Sequence, residues 1–314
     1  MSLLYFNFIR PGEEPPERAK AYQSALDMAG YADEHGFAQV VLSEHHGTEV
    51  GWLPAPLAMA GMVLARTKRL GVSVSALILP LHDPKRVAED MAVIDLASGG
   101  RLIVIAALGY RPEEYAMFGR DWDRRGKLMD ESLQTLLDMW QAEPRPVSQP
   151  HPMLFVGGSS KPAVRRAARF GLPFSAGAHV PGLEEYYHEQ CAAHGTKGFI
   201  MVPPPRVVNV FVDEDPDRTW AELGEHFLAE ARVYAGWQTQ EVSSPVTSHA
   251  STVDELRAEG VYAVLTPQQC IEQIRGGDDT VLLHPLCGGV PVDRGWDCLR
   301  LYAEQVLPAV ADVG

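Results

Sequence analysis

The sequence predicts an α/β protein of the (β/α)8 TIM-barrel class, with insertions. Three observations carry that expectation. Short apolar runs rich in β-formers alternate with amphipathic stretches of helical period along the whole chain. Several of those runs are continuously apolar rather than alternating, as parallel strands buried on both faces require. The first run is followed by RPGEEPPER, which cannot serve as the Gly-rich phosphate loop expected after the first strand of the rival arrangement, a doubly wound open sheet.

The first strand is expected over Leu3–Phe8, after which Tyr22, Ala25, Ala29 and Ala32 fall at helical spacing. A second strand, Phe37–Leu42, ends in Ser43-Glu44-His45-His46. The third, Leu70–Leu79, leads through Pro80 and His82 to Asp83 and Pro84, a cap and a first-turn proline that open a helix. Val87, Met91 and Ile94 mark the inner face of that helix. It closes at Ser98-Gly99-Gly100-Arg101, a C-terminal turn on the bottom of the barrel, where a role in stability is expected. The fourth strand, Leu102–Leu108, exits through Gly109 and Tyr110. The fifth, Met153–Val156, exits through Gly157-Gly158-Ser159-Ser160 into a helix over 161–170 that stops at Gly171. A weaker sixth strand, Leu172–Ala176, is followed by Arg206–Val212 and Thr280–Leu283, and Leu299, Tyr302 and Val306 mark a last helix. These eight βα units fit a chain of 314 residues, and no Pro/Gly/Ser linker divides it, so 1–314 reads as one domain. The polar, Ser/Thr-rich stretch of about 235–260 reads as a long rim loop.

Charge and composition exclude several functions. Asp and Glu number 41 against 27 Lys and Arg, a net charge of −14, which repels phosphate backbones and anionic lipid. No nucleic-acid or polybasic membrane partner is expected. The cysteines Cys191, Cys270, Cys287 and Cys298 lack C-x-x-C spacing and read as free thiols of a reducing compartment, neither a zinc site nor a disulfide frame. No apolar run approaches the ~20 residues of a membrane span. The opening MSLLYFNFIRPGEE has neither a basic segment nor a small-residue cleavage site of a signal peptide, so a cytoplasmic location is expected.

In a barrel, residues just past the carboxyl ends of the strands line the active face. Glu44, His45 and His46 leave a buried strand together, a costly grouping unless the charges are paired. General acid/base work by one histidine, with Glu44 as its orienting partner, is the favoured reading; a metal is disfavoured for want of a helical H-x-x-x-H or a further carboxylate–His pair. The alternative is a satisfied structural histidine pair. Ala106, Ala107, Leu108 and Gly109 allow close approach of a flat ligand. Gly157, Gly158, Ser159 and Ser160 at a helix start, followed by Pro162, offer free N–H groups and a helix dipole to an anion, beside the plainer reading of Ser160 as an N-cap.

These motifs, taken in order, resemble the bacterial luciferase-like flavin-dependent monooxygenase family. The resemblance rests on GYADEHGF, SEHH, the run ARTKRLGVSVSALILPLHDPKRVAEDMAVIDLASGGR, LGYRPEEYAMFG, LFVGGSS, AARFGLP and a YAEQVLP tail. It implies a barrel that holds flavin mononucleotide (FMN) at the carboxyl ends of its strands. There, reduced flavin and O2 form a C4a peroxide that oxygenates a small-molecule substrate. It further implies that His45 assists proton transfer, that a non-proline cis peptide at Ser75-Ala76 lies against the flavin ring, and that Gly157–Ser160 hold the phosphate. Arg125 matches an arginine common in the family. The chain departs from the family at the fourth strand exit, where the luciferases use an arginine for the phosphate and this sequence has no basic residue before Arg111; it also has Ala107 in place of the luciferase thiol, so light emission is not implied. A dry pocket for the chemistry is available from residues such as Trp52, Tyr110 and Phe118, each with ordinary packing as its plainer role. A separate flavin reductase and a homodimer are the partners the resemblance implies. Two alternatives accompany it: hydride transfer with the deazaflavin coenzyme F420, and a barrel that binds flavin without turnover.

Overall fold

The computed structural model describes residues 1–204, 208–237, 248–277 and 280–311. Ten parallel strands form one sheet: β1 (Ser2–Phe6), β2 (Gln39–Leu42), β3 (Gly71–Ile78), β4 (Leu102–Ala107), β5 (Met153–Gly158), β6 (Phe174–Ala176), β7 (Ile200–Met201), β8 (Asn209–Val212), β9 (Tyr262–Leu265) and β10 (Val281–Leu283). Around them run α1 (Pro15–Glu34), α2 (Pro56–Arg66), α3 (Pro84–Ser98), α4 (Pro112–Met117), α5 (Arg125–Met139), α6 (Lys161–Phe170), α7 (Leu183–His194), α8 (Pro216–Trp237), α9 (Val253–Glu259), α10 (Pro267–Arg275) and α11 (Val292–Leu301), the last prolonged by a π turn over Tyr302–Val306.

The eight expected strands are all present; most are shortened at one or both ends, whereas the first begins one residue earlier, at Ser2, and the fifth runs on through Gly158, and residues 206 and 207 of the seventh lie outside the described residues. Neighbours follow chain order from β1 to β7, and β1 also pairs with β10, Ser2 to Val281 and Leu4 to Leu283. Two strands are additional. The short β7 extends β6, and β9 lies outboard of β8, so that both fall at the seam between the sixth and seventh expected strands. No ladder joins β7 to β9 among the described residues, so hydrogen bonding leaves the barrel open there.

The expected rim loop is corrected in part. Residues 235–237 finish α8 and 253–259 form α9, opened by the Thr252 hydroxyl accepting from the Glu255 N–H and closed by Gly260. Both segments satisfy their backbone polar groups as helix despite the polar sequence. Residues 248–252 are loop, as expected, and 238–247 lie outside the described residues.

Packing follows the predicted burial. Leu4, Phe6, Val40, Leu42, Val72, Val74, Leu102, Val104, Leu154 and Val156 are all buried. The bottom turn is built as its sequence predicts: Gly99 closes α3 in the left-handed region, and Arg101 donates to the carbonyls of Leu64, Thr67 and Leu70. Those bonds anchor the α2–β3 connection. No helix among the described residues is long and apolar enough to cross a membrane.

Candidate active site

The exits of β2, β3, β4 and β5 lie side by side, because these strands are consecutive neighbours in the sheet. Their registers align Leu42 with Val74, Ser75 with Ile105, and Ala106 with Val156. The four segments singled out from the sequence therefore meet at one face. At β3 the Ser75–Ala76 peptide bond is cis, and the ladder to β4 skips Ala76, pairing Ser75 with Ile105 and Leu77 with Ala106. Within a strand whose other residues are mostly buried, Ser75 is exposed and Ala76 half-buried. Ala107, Leu108, Gly109 and Tyr110 continue this accessible floor at the end of β4 and just past it, and Gly158 and Ser159 do so at the end of β5.

His45 stands beside that floor with both ring nitrogens engaged. Its Nδ1 lies 2.9 Å from Glu114 Oε1 and its Nε2 3.0 Å from the Tyr110 hydroxyl. Glu114 Oε1 also accepts from the His46 N–H at 2.9 Å and from Arg111 at 3.1 Å. Since a carboxylate oxygen so used only accepts, Nδ1 carries a proton and Nε2 receives the Tyr110 O–H. Burial pushes the Tyr110 hydroxyl well above its ordinary range, with the Tyr5 and Glu114 charges adding to the effect, so it remains a donor. Nε2 is thus the atom able to take a proton from a ligand.

Glu44 does partner a histidine of the pair, but it is His46 and not His45, to which the resemblance gives proton transfer. The Glu44 carboxylate faces the ring of His46, two residues on, and that of His82. Its Oε1 lies 3.0 Å from His46 Nε2 and 2.7 Å from His82 Nε2, and its Oε2 accepts from the Ile78 N–H. Burial raises the Glu44 carboxyl, but the bonds from His46 and His82, the His82 charge and the Ile78 amide outweigh it and hold the pKa at about 2. The further carboxylate–His pairing absent from the local sequence is supplied from a distance, and Glu44, His46 and His82 could together hold a divalent cation.

Side chains from α8 complete the surroundings. Tyr234 packs on Trp52 at 4.8 Å between centroids, and Trp237 lies 5.0 Å from both His45 and Trp52. Trp52 donates its indole N–H to Ser43 at 2.9 Å, and Ser43 meets the Tyr5 hydroxyl at 3.0 Å. Arg111 is held by the His46 carbonyl, Glu114 and the Trp237 ring, and Arg125 by the Trp122 carbonyl and ring. Phe118 packs edge-on against His46. Local motifs did not signal Glu114, Tyr234 or Trp237. The only trace was Glu114's place in LGYRPEEYAMFG.

At β5, Gly157 is required by close approach: a Cβ there would come 2.7 Å from Ile105 Cγ2 and 3.5 Å from the Ala107 Cβ. Ser160 caps α6, its hydroxyl accepting from the Ala163 N–H at 3.4 Å, which confirms the plainer reading without removing the other N–H groups of the first turn from use. The small side chains and backbone N–H groups here fit a flat ligand bearing an anionic tail.

Comparison with known proteins bears on the family and the fold. The luciferase-like monooxygenase family matches residues 1–283. The chain belongs to that family. It is 26% identical to the alkanal monooxygenase beta chain of Vibrio harveyi over 99% of this chain and 96% of that one. Among solved structures, it shares its fold with the oxygenating constituent of 3,6-diketocamphane monooxygenase of Pseudomonas putida, a type II Baeyer-Villiger monooxygenase determined with FMN (TM-score 0.70, 18% identity, 98% of each chain). It also shares its fold with an F420-dependent secondary alcohol dehydrogenase determined with an F420-acetone adduct (TM-score 0.67, 18% identity, 98% of each chain). As a luciferase-like monooxygenase family member, the chain has its cis bond and its Gly-Gly-Ser-Ser turn at the positions where the sequence resemblance put them.

Proposed function

We propose that this protein is a flavin-dependent monooxygenase that uses reduced FMN and O2 to oxygenate a small organic substrate. The carrying observation is the accessible floor of small residues over the β3–β5 exits, flanked by the Nε2 of His45 and by the α6 N-terminus. Bound reduced FMN would supply the electrons that activate O2. Ser75, Ala76, Ala107, Leu108 and Gly109 would receive its ring system, and Gly157, Gly158, Ser159 and Ser160 its phosphate through N–H groups and hydroxyls. His45 would exchange a proton through Nε2, with Glu114 fixing the opposite nitrogen and Tyr110 occupying Nε2 until a ligand arrives. Trp52, Tyr234 and Trp237 would keep water from the reacting centre. Arg111, the first basic residue after β4, is engaged by His46, Glu114 and Trp237 rather than free to grip the phosphate; this favours flavin arriving reduced from a separate reductase and leaving after turnover.

The shared fold of the F420-dependent dehydrogenase supports a second reading, hydride transfer with a deazaflavin. Equilibrium binding of reduced FMN against reduced F420, followed by an O2-uptake trace, separates the two. Tighter FMN binding with O2 uptake is expected, and tighter F420 binding without uptake would overturn the proposal. His45→Ala is expected to bind flavin as the parent does and to lose substrate-dependent oxidation by on the order of 10²-fold or more. A parent protein inert with either reduced cofactor would leave a flavin-binding barrel.

A further inference from the structure

Among the described residues, two groups of side chains bring three ligating atoms within 4.8 Å of one another. In the first, Glu44 with His46 and His82, the three side chains satisfy one another and the Ile78 amide and leave no buried polar atom without a partner among the described residues. The second lies elsewhere: Glu230 on α8, His284 just past β10, and Cys287 in the turn that follows, all buried.

The chain is shaped to bring these three together. Gly288 has φ +56, and a Cβ there would fall 1.8 Å from the His226 carbonyl oxygen, so the turn can press against α8 only with glycine at this position. That contact sits one helical turn before Glu230, and it lets the Gly288 N–H donate to Glu230 Oε2 at 2.9 Å. The Tyr262 hydroxyl approaches Oε1 at 3.3 Å, and His284 Nε2 is 3.1 Å from each oxygen. Two ligands bonded to one zinc ion at 2.0–2.1 Å and tetrahedral angles stand about 3.3 Å apart, close to this separation.

Beside the cluster is a cavity of about 10 Å³, bordered on one side by Asn209, Tyr262, His284 and Cys287 and on the other by apolar residues such as Phe211 and Phe227. That is room for roughly one water. His284 Nδ1 and both amide atoms of Asn209 are buried and meet no hydrogen-bond partner among the described residues. Unsatisfied polar atoms around a space of that size call for a small polar occupant.

We propose that Glu230, His284 and Cys287 bind a zinc-class divalent cation as a structural site, with a water in the adjoining cavity as fourth ligand, hydrogen-bonded to Asn209. Nitrogen, sulfur and carboxylate oxygen together are a zinc donor set. Binding forms one metal–sulfur bond as the Cys287 thiol releases its proton to solvent. Carboxylate and thiolate then offset the two positive charges, which makes a neutral assembly suited to a dry interior. Gly288 and Tyr262 hold the carboxylate from outside the ligand set. Because the three ligands are buried, loading accompanies folding.

The test is to unfold the full chain with a chelator and refold it with Co2+, with Zn2+ or with no metal. About one ion per chain by elemental analysis is expected, together with a thiolate-to-cobalt charge-transfer band in the near ultraviolet. Cys287→Ser should lose that band while keeping the far-ultraviolet circular dichroism of the parent, even though Cys191, Cys270 and Cys298 remain. The proposal fails if the refolded parent retains far less than one ion per chain, or if the band persists undiminished in Cys287→Ser. In the first case water alone fills the cavity.

Discussion

The imidazole of His45 is fixed by a carboxylate 69 residues further along the chain. Glu114 gathers three donors on one oxygen, the His45 ring, the His46 amide and Arg111, and this convergence sets which nitrogen of His45 is free. Glu114→Gln replaces an obligate acceptor by a group that also donates, so the second tautomer of His45 becomes available. We expect kcat to fall by about 10- to 100-fold with flavin binding changed little, as read from steady-state kinetics beside a binding titration; equal losses in both would mean that Glu114 only supports the fold. The sequence made His45 legible because a strand exit and a motif coincide on it. It could not make Glu114 legible: in the local pattern Glu113 and Glu114 are equivalent first-turn acids of a short helix, and only the path of the β4–α4 connection chooses between them.

At the scale of elements, Glu44 joins the exit of β2 to the exit of β3 and to the turn before α3, through His46, Ile78 and His82. Its pKa is lowered from 4.5 to about 2, so the link stabilises the fold fully above pH 4.5 and fades as the pH falls toward 2. A shift of that size corresponds to roughly 3 kcal/mol. Glu44→Gln is therefore expected to be less stable than the parent by about that amount at pH 7, with the two converging near pH 2, as measured by urea unfolding across the pH range. A gap that does not narrow on acidification would mean that the charge of Glu44 is not what links the strands. Legibility at this scale depends on how continuous the apolar pattern is. The run 70–79 reads as a strand unaided, whereas VYAVL at β9 is short, follows a polar stretch, and is made a strand by the edge of β8 that it covers. The last residues of α8, with Trp237, fall within that same polar stretch, which hides the covering of the site.

For the whole molecule, the surface carries a net charge of −14 and some exposed apolar side chains, among them Met62 on α2 and Val93 and Leu96 on the adjacent α3. The homodimer expected from the family resemblance would cover such a face while doubling the negative charge, so association should strengthen as salt screens the repulsion. Light scattering is expected to give twice the chain mass at moderate ionic strength, and Met62→Glu to give the monomer. A parent protein that stays monomeric across the salt series would exclude that assembly. Net charge excludes partners in this way, but it gives no hint of the local N–H groups at 157–160 that would meet an anion.

The pairing of β1 with β10 has a bearing on how the protein is made. Ser2, Leu3 and Leu4 can complete their ladder only after Val281–Leu283 have left the ribosome, so nearly the whole chain must be synthesised before the first strand is flanked on both sides. Until then one edge of β1 stays unpaired beside apolar residues such as Leu4 and Phe6, and a nascent chain in that state can be captured by another of its kind. Closing so long a loop is slow. Yield in a cell should therefore respond more to growth temperature and chaperone supply than the stability of the finished barrel would suggest.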